Sequence, residues 1–335
     1  MPDLMETLKI LAETLPPLDP GMRAFGEKIT AATPPEAVDW PLERQRQAWD
    51  EVCRSFRAPH PPGLAVSDVA IPGPDGALTL RLYRPPGEGL KPGLLYFHGG
   101  GWILGSIETH DDMCAEMAAG ADVVVVALDY RLAPENPHPA QFDDCRAALD
   151  WVLAEGAAHG IDTSRLIAGG DSAGGQMTAG LSLALRDEGR SDLKGQVLIY
   201  PVLGRDMTTP SYRVNATAPS LSREEMAHYL EAFLGKRGSP AWTDKHAMPL
   251  LETDYKNLPP AFVTAAGHDP LHDEAMIYAA RLAQAGVPVS VRREPALGHS
   301  YMRARQVSEP AGAGFAAIVA AIRVLAHEGR VPEES

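Results

Sequence analysis

The amino-acid sequence predicts an α/β protein: a mostly parallel eight-stranded sheet flanked by helices, with a helical cap. Three observations carry this. Eight short runs rich in Val, Ile, Leu and Tyr recur between residues 66 and 294. Segments of helical period separate most of them. The middle runs are apolar on both faces, as strands buried between two helix layers are.

In chain order, residues 1–60 hold short helical patterns broken by proline, as in LPPLDP (15–20) and APHPPG (58–63), and carry no strand signal. VSDVAI (66–71) and LTLRLYR (78–84), linked through PGPDG (72–76), predict a β-hairpin. Six further strands are expected at GLLYF (93–97), VVVVALD (123–129), RLIAGG (165–170), QVLIYP (196–201), AFVTAAG (261–267) and VPVSVRRE (287–294). A hairpin followed by alternating strand and helix implies a mostly parallel sheet. Around 139–155, Phe142, Cys145, Leu149 and Val152 recur at helical steps, and Phe315, Ile318, Val319, Ile322 and Leu325 do so near the C-terminus. Residues 203–245 lack strand signals, and SREEMAHYLEAFLG (222–235) opens with a Ser cap and early glutamates, predicting a helix. The expected organisation is therefore 1–50 as the first part of a cap, 51–202 as the first part of the catalytic core, 203–245 as a cap insertion, and 246–335 as the rest of the core.

The 335 residues are 45% hydrophobic and 22% charged, enough for a large core and too balanced for wholesale disorder. A net charge of −14, from 44 acidic against 30 basic residues, repels phosphate backbones and disfavours nucleic acid as a partner. Cys53, Cys114 and Cys145 are widely spaced, form no CxxC pair and read as small buried hydrophobes, two of them on helices. Met1–Leu15 has Asp3, Glu6 and Glu13 beside a single Lys9, unlike a signal peptide, and no run of eighteen apolar residues is present. A cytoplasmic protein without a membrane span is expected.

Four motifs carry chemistry. Gly170-Asp171-Ser172-Ala173-Gly174 follows a predicted strand and precedes a helical run. A tight strand–turn–helix holds a serine where a base can reach it, and its crowding demands glycine on either side. His98-Gly99-Gly100-Gly101-Trp102 follows another strand. Glycines let main-chain N–H groups approach an oxyanion, and the Trp-Ile-Leu that follows is not the Lys-Ser/Thr of a phosphate loop. His98 reads as a loop organiser and Asp171 as a structural hydrogen-bonding group. Gly267–Glu274 (GHDPLHDE) and Gly298-His299-Ser300 both stand at strand carboxyl ends, where such sheets present their working groups. Asp269 is the first carboxylate after its strand; Asp273 and Glu274 stand one turn on and suit an N-terminal helix cap. His268, Asp269, His272 and Asp273 also permit a metal-cluster reading, against which stand Pro270 and the lack of HExxH. Asp129, Tyr130, Arg131 and Glu135 read as a buried polar scaffold.

HGGGW (98–102), DYRLAPENPHPA (129–140), GDSAGG (170–175), DPLHDE (269–274) and GH (298–299) together resemble the hormone-sensitive-lipase-like, bacterial family IV esterases of the α/β-hydrolase fold, over roughly residues 60–325. Their order, Ser then Asp then His, is that of α/β-hydrolases. The resemblance implies Ser172 as nucleophile, His299 as general base and Asp269 as its orienting acid. It also implies an oxyanion hole from the N–H groups of Gly100, Gly101 and Ala173, with Gly99 and His98 supporting the loop. Hydrolysis of short- to medium-chain acyl esters, with no cofactor and no metal, is the implied activity. Trp102, Leu104, Met226, Tyr229 and Phe233 are candidates to line the substrate pocket, with core packing an equal reading for each. Two classes compete with this reading: a non-catalytic hormone-binding module on the same scaffold, against which the intact His299 argues, and a metal-dependent hydrolase. Amidase action shares the triad. A homodimer paired along the last strand is a further expectation.

Overall fold

The computed structural model describes residues 15–333. Its strands are β1 (Ala65–Gly73), β2 (Gly76–Arg84), β3 (Lys91–Phe97), β4 (Val124–Asp129), β5 (Ile161–Asp171), β6 (Gln196–Ile199), β7 (Ala261–His268) and β8 (Val289–Gly298). They form one sheet in the order β1-β2-β4-β3-β5-β6-β7-β8. The β1–β2 and β2–β4 pairs are antiparallel and every other pair is parallel, as expected. All eight predicted strands are present. The hairpin turn is tighter than expected, because Gly73 pairs with Gly76 and leaves only Pro74 and Asp75 to turn. Strand β5 starts earlier than its apolar run, because Ile161 pairs with Lys91 before a register shift at Pro92 and Gly93. β8 lies at one edge of the sheet.

The helices are α1 (Pro20–Ala32), α2 (Leu42–Ser55), α3 (Asp111–Ala121), α4 (Ala140–Glu155), α5 (Ala173–Asp187), α6 (Pro210–Val214), α7 (Arg223–Leu234), α8 (His272–Gln284) and α9 (Glu309–Glu328). Strand alternation sorts the core into layers. Val124, Val126 and Leu128 pack with Cys145, Leu149 and Val152 of α4 and with Met177 and Leu181 of α5. Val125 and Ala127 face the other way, toward Met113 and Met117 of α3 and Ile318, Ile322 and Leu325 of α9. Burying each such side chain stabilises the fold by about 1.5–3 kcal/mol. Helix α9 is long and apolar enough by composition to cross a bilayer. Its Ile318, Ile322 and Leu325 are fully buried on the sheet, so it is a core helix. Cys53, Cys114 and Cys145 are buried and free, and all three lie on helices, one more than the sequence suggested.

The two segments expected to form a cap are helical. In 203–245 lie α6, α7 and a 3₁₀ turn at Pro240–Thr243. Helix α7 starts with a full capping box: Ser222 Oγ accepts from the Glu225 N–H at 3.1 Å, and the Glu225 carboxylate accepts from the Ser222 N–H at 2.7 Å. Helix α1 lies directly on this insertion, since a Cβ on Gly26 would come within 2.9 Å of Pro219. Met1 to Thr14 lie outside the described residues, so the structure describes the first cap segment only from Leu15 onward.

Candidate active site

Ser172 sits between β5 and α5 with φ 55° and ψ −115°, a conformation that L-residues rarely hold. The turn is tight because β5 runs straight into α5. A Cβ on Gly170 or Gly174 would strike the Phe97 carbonyl, which explains a glycine on each side of the serine. His299 follows β8, and its Nε2 lies 2.9 Å from Ser172 Oγ. Its Nδ1 lies 2.8 Å from Oδ2 of Asp269, which follows β7. Asp269 is fully buried, and its other oxygen accepts from the Leu271 N–H at 2.9 Å. Three loops distant in sequence thus bring Ser172, His299 and Asp269 into one hydrogen-bonded line.

The neighbouring carboxylates have other partners. Asp273 accepts from the Ser211 N–H at 2.8 Å. Glu274 accepts from the N–H groups of Leu203 at 2.5 Å and Gly204 at 2.8 Å, and from the Tyr212 hydroxyl at 3.1 Å. Instead of capping their own helix, both reach across to hold the insertion that begins at residue 203. Burial pushes the Glu274 carboxyl up to about 7 despite these donors. Among the described residues no three His, Cys, Asp or Glu side chains converge as a metal site. His268 bonds the Pro16 carbonyl at 2.9 Å and His272 lies 3.2 Å from Asp273, so the two histidines do not share a centre.

The glycine loop lies beside Ser172, tied down from beneath. The Gly99 N–H donates to Asp171 Oδ1 at 3.0 Å, and the same carboxylate accepts from the Tyr96 hydroxyl at 2.7 Å. Burial alone would raise the Asp171 carboxyl, but His110, Arg303 and Tyr96 hold it well below the usual range. The Leu104 N–H closes a turn onto the Gly100 carbonyl at 2.8 Å, and Gly100 and Gly101 have φ of 127° and 59°. Among the described residues, no protein acceptor takes the N–H of Gly100, Gly101 or Ala173. His98 stacks on Tyr130 at 4.1 Å, and the Tyr130 hydroxyl donates to the His98 carbonyl at 2.8 Å. Burial and the nearby His110 push the His98 imidazole down to about 3, so it stays neutral.

The five candidate pocket residues meet where α7, which carries Met226, Tyr229 and Phe233, packs on the glycine loop with its Trp102 and Leu104. Trp102 is fully buried and stacks flat on Phe233 at 4.0 Å, with Leu104 and Met226 in the same apolar cluster. Tyr229, only half-buried, lies over Gly101, where a Cβ would meet its ring at 2.6 Å. Ser172 and His299 are each only 5% exposed. A mainly apolar cavity of about 280 Å³ opens between α2 and α7, with Leu42, Ile103, Pro134, His228, Glu231 and Ala232 among its lining residues. A larger cavity of about 580 Å³ near Tyr255 and Arg281 is lined by none of the triad residues.

Two contributors were not named from the sequence. Gln176 accepts from the Trp102 indole N–H at 3.0 Å, and Asn215 donates to the Gly267 and Asp269 carbonyls at 3.1 and 3.0 Å. Gln176 stands in the run after Ser172, so its place one turn into α5 was the available hint. Of the expected polar scaffold, Tyr130 is buried and Arg131 pairs with the buried Asp144 at 2.7 Å. Glu135 corrects the expectation: it is exposed and pairs with Arg46 of α2 at 2.8 Å, because the chain turns outward there toward α2.

A parallel-rich sheet with Ser, Asp and His meeting at its carboxyl end is the arrangement of the α/β-hydrolase class. A family model described as alpha/beta hydrolase fold matches residues 94–303. Esterase LipI of Mycobacterium tuberculosis is 36% identical over 96% of this chain and all of the relative. An ethyl acetate hydrolase of Pseudomonas putida is 35% identical over 77% of this chain and 82% of its own length. Among solved structures, an ester hydrolase from the metagenome of Lake Arreo, complexed with a bipyridine phosphonate derivative, superposes with a TM-score of 0.86. It is 36% identical, over 92% of this chain and 98% of that one. The chain belongs to the alpha/beta hydrolase family, in its hormone-sensitive-lipase-like group of esterases.

Proposed function

We propose that this carboxylesterase cleaves short- to medium-chain acyl esters through a covalent acyl-enzyme on Ser172. The observation that carries the reading is His299 standing 2.9 Å from Ser172 Oγ and 2.8 Å from Asp269. As Oγ attacks the ester carbonyl, His299 takes its proton, and Asp269 holds the imidazole tautomer and steadies the imidazolium. The carbonyl oxygen becomes an oxyanion that the N–H groups of Gly100, Gly101 and Ala173 meet. His299 then protonates the departing alcohol. Water, deprotonated by the same imidazole, attacks the acyl-enzyme, and the released proton returns to Ser172 as the carboxylic acid leaves. The stacked Trp102 and Phe233 and the Tyr229 ring over Gly101 support a small pocket. The activity named for the Pseudomonas putida relative points the same way. Helices α1 and α2 and the 203–245 insertion form the cap in this reading.

The test is a ladder of p-nitrophenyl esters from acetate to palmitate, run on the wild type and Ser172→Ala beside labelling with a fluorophosphonate. The expected result is peak turnover below about ten acyl carbons, and loss of about 10⁴-fold or more, with no labelling, in Ser172→Ala. Strongest turnover on palmitate overturns the chain-length preference; retained turnover in Ser172→Ala overturns the mechanism.

A further inference from the structure

Behind the proposed catalytic residues runs a buried polar chain that the hydrolytic mechanism does not use. Arg303 stands four residues after His299, on the 3₁₀ segment Tyr301–Gln306. It is 5% exposed, and its Nη1 donates to the Thr109 carbonyl at 2.6 Å. Its Nη2 lies 3.0 and 3.3 Å from the two ring nitrogens of His110, which is 1% exposed. His110 Nε2 in turn lies 3.2 Å from Asp171, the residue before Ser172, and Asp171 accepts from Gly99. The Thr109 hydroxyl lies 2.9 Å from His110 Nδ1, and with the His110 proton on Nε2 toward Asp171 the guanidinium, near both ring nitrogens, rests against the imidazole and not on one lone pair. The chain ends in a cation at one end and a carboxylate at the other, each next to a loop that catalysis needs.

We infer that Arg303 is a positioning residue: through Thr109, His110 and Asp171 it locks the loop of His299 to the serine turn and to the glycine loop. The inference rests on the triad reading of the preceding subsection. The geometry has a logic that simple packing lacks. An apolar side chain would fill a buried site at less desolvation cost than a guanidinium, so a role confined to stability gives no reason for an arginine here. The serine, the imidazole and the oxyanion donors come from three separate loops. A polar chain touching all three fixes their spacing, and spacing errors of about 1 Å cost on the order of 10²-fold in rate. Arg303 also lies 5.2 Å under the Trp49 ring of α2, which holds the guanidinium from its other side.

The experiment compares wild type, Arg303→Met, Arg303→Lys and His110→Gln on p-nitrophenyl acetate, with active sites counted by fluorophosphonate labelling. Arg303→Met should lose about tenfold or more in kcat per labelled site with KM changed less than about threefold, the signature of a misaligned transition state. Arg303→Lys, which keeps the charge and one donor, should recover part of the loss. A kcat per labelled site within about twofold of wild type in Arg303→Met overturns the inference, whatever happens to its melting temperature. If Arg303→Met does not fold, His110→Gln decides by the same criterion, with a loss of about fivefold or more expected. A wild type that is not labelled, or an active Ser172→Ala, refutes the triad reading instead and is told apart in this way.

Discussion

Ser172 holds φ 55° and ψ −115°, where its Cβ is crowded by its own backbone. Such a conformation costs on the order of 1–3 kcal/mol and persists only because the surroundings over-determine it. Here β5 ends against β3 and β6 and α5 begins with only Ser172 between them, so no relaxed path joins them. Glycine has no Cβ to crowd, though it gives up about 1 kcal/mol through the larger entropy of its unfolded chain. The relief is the larger effect for a strain in the upper part of that range. Ser172→Gly should therefore melt above Ser172→Ala, by about 1 kcal/mol in chemical denaturation, although both are inactive. Equal or lower stability of the glycine variant would mean that the turn stores no strain. Asp269 offers the complementary residue-level test. Asp269→Asn keeps the shape but favours the wrong imidazole tautomer, and kcat should fall by about 10³–10⁴-fold with little change in folding stability.

Glu274 shows how an element boundary is fixed. The insertion leaves the sheet after β6, and its first free N–H groups, of Leu203 and Gly204, are satisfied by one carboxylate of α8. That carboxylate is 1% exposed, and burial pushes it up to about 7 from an unfolded value near 4.5. A carboxyl raised on folding makes the native state bind the extra proton. Its contribution to stability is then greatest below about 4.5 and declines as pH rises through about 7. Glu274→Gln keeps one acceptor for the two N–H groups and cannot ionise. The stability of Glu274→Gln relative to wild type should thus increase from pH 5 to pH 8, read as the difference in melting temperature. A constant difference across that range would contradict the burial of an ionised group. This tie also marks where sequence reading stops. The capping box of α7 is legible because Ser222 and Glu225 are three residues apart. The three loops of Ser172, Asp269 and His299 are legible because each follows a strand. Glu274 to Leu203 spans 71 residues, and Arg303 to His110 spans 193, with no local period or spacing to announce either. Asp273 and Glu274 read as a helix cap in sequence because only their neighbours along the chain are visible there.

In the proposed mechanism an ester must reach Ser172, a residue only 5% exposed, so part of the covering layer has to yield. The pieces of that layer are held unequally. Helix α7 is fixed by the Phe233–Trp102 stack and by the His138 N–H donating to the Phe233 carbonyl at 2.8 Å. Helix α1 buries Met22, Phe25 and Ile29. Helix α2 buries only Val52 and Cys53, and its firmest polar link is Arg46, which donates to the Ile103 and Ala133 carbonyls at 2.9 and 3.2 Å and pairs with Glu135. The 280 Å³ cavity between α2 and α7 opens along this weaker seam. An exposed pair contributes about 0–1 kcal/mol and each carbonyl bond about 1 kcal/mol, so Arg46→Ala should cost about 1–3 kcal/mol, a few degrees in melting temperature. Loosening the seam should favour substrates that need it wider. The ratio of kcat/KM for p-nitrophenyl octanoate to that for acetate is expected to rise about two- to fivefold in Arg46→Ala. A ratio unchanged from wild type, in a variant that is measurably less stable, would show that substrate does not pass beneath α2, and would direct attention to the Tyr229 side of the cap.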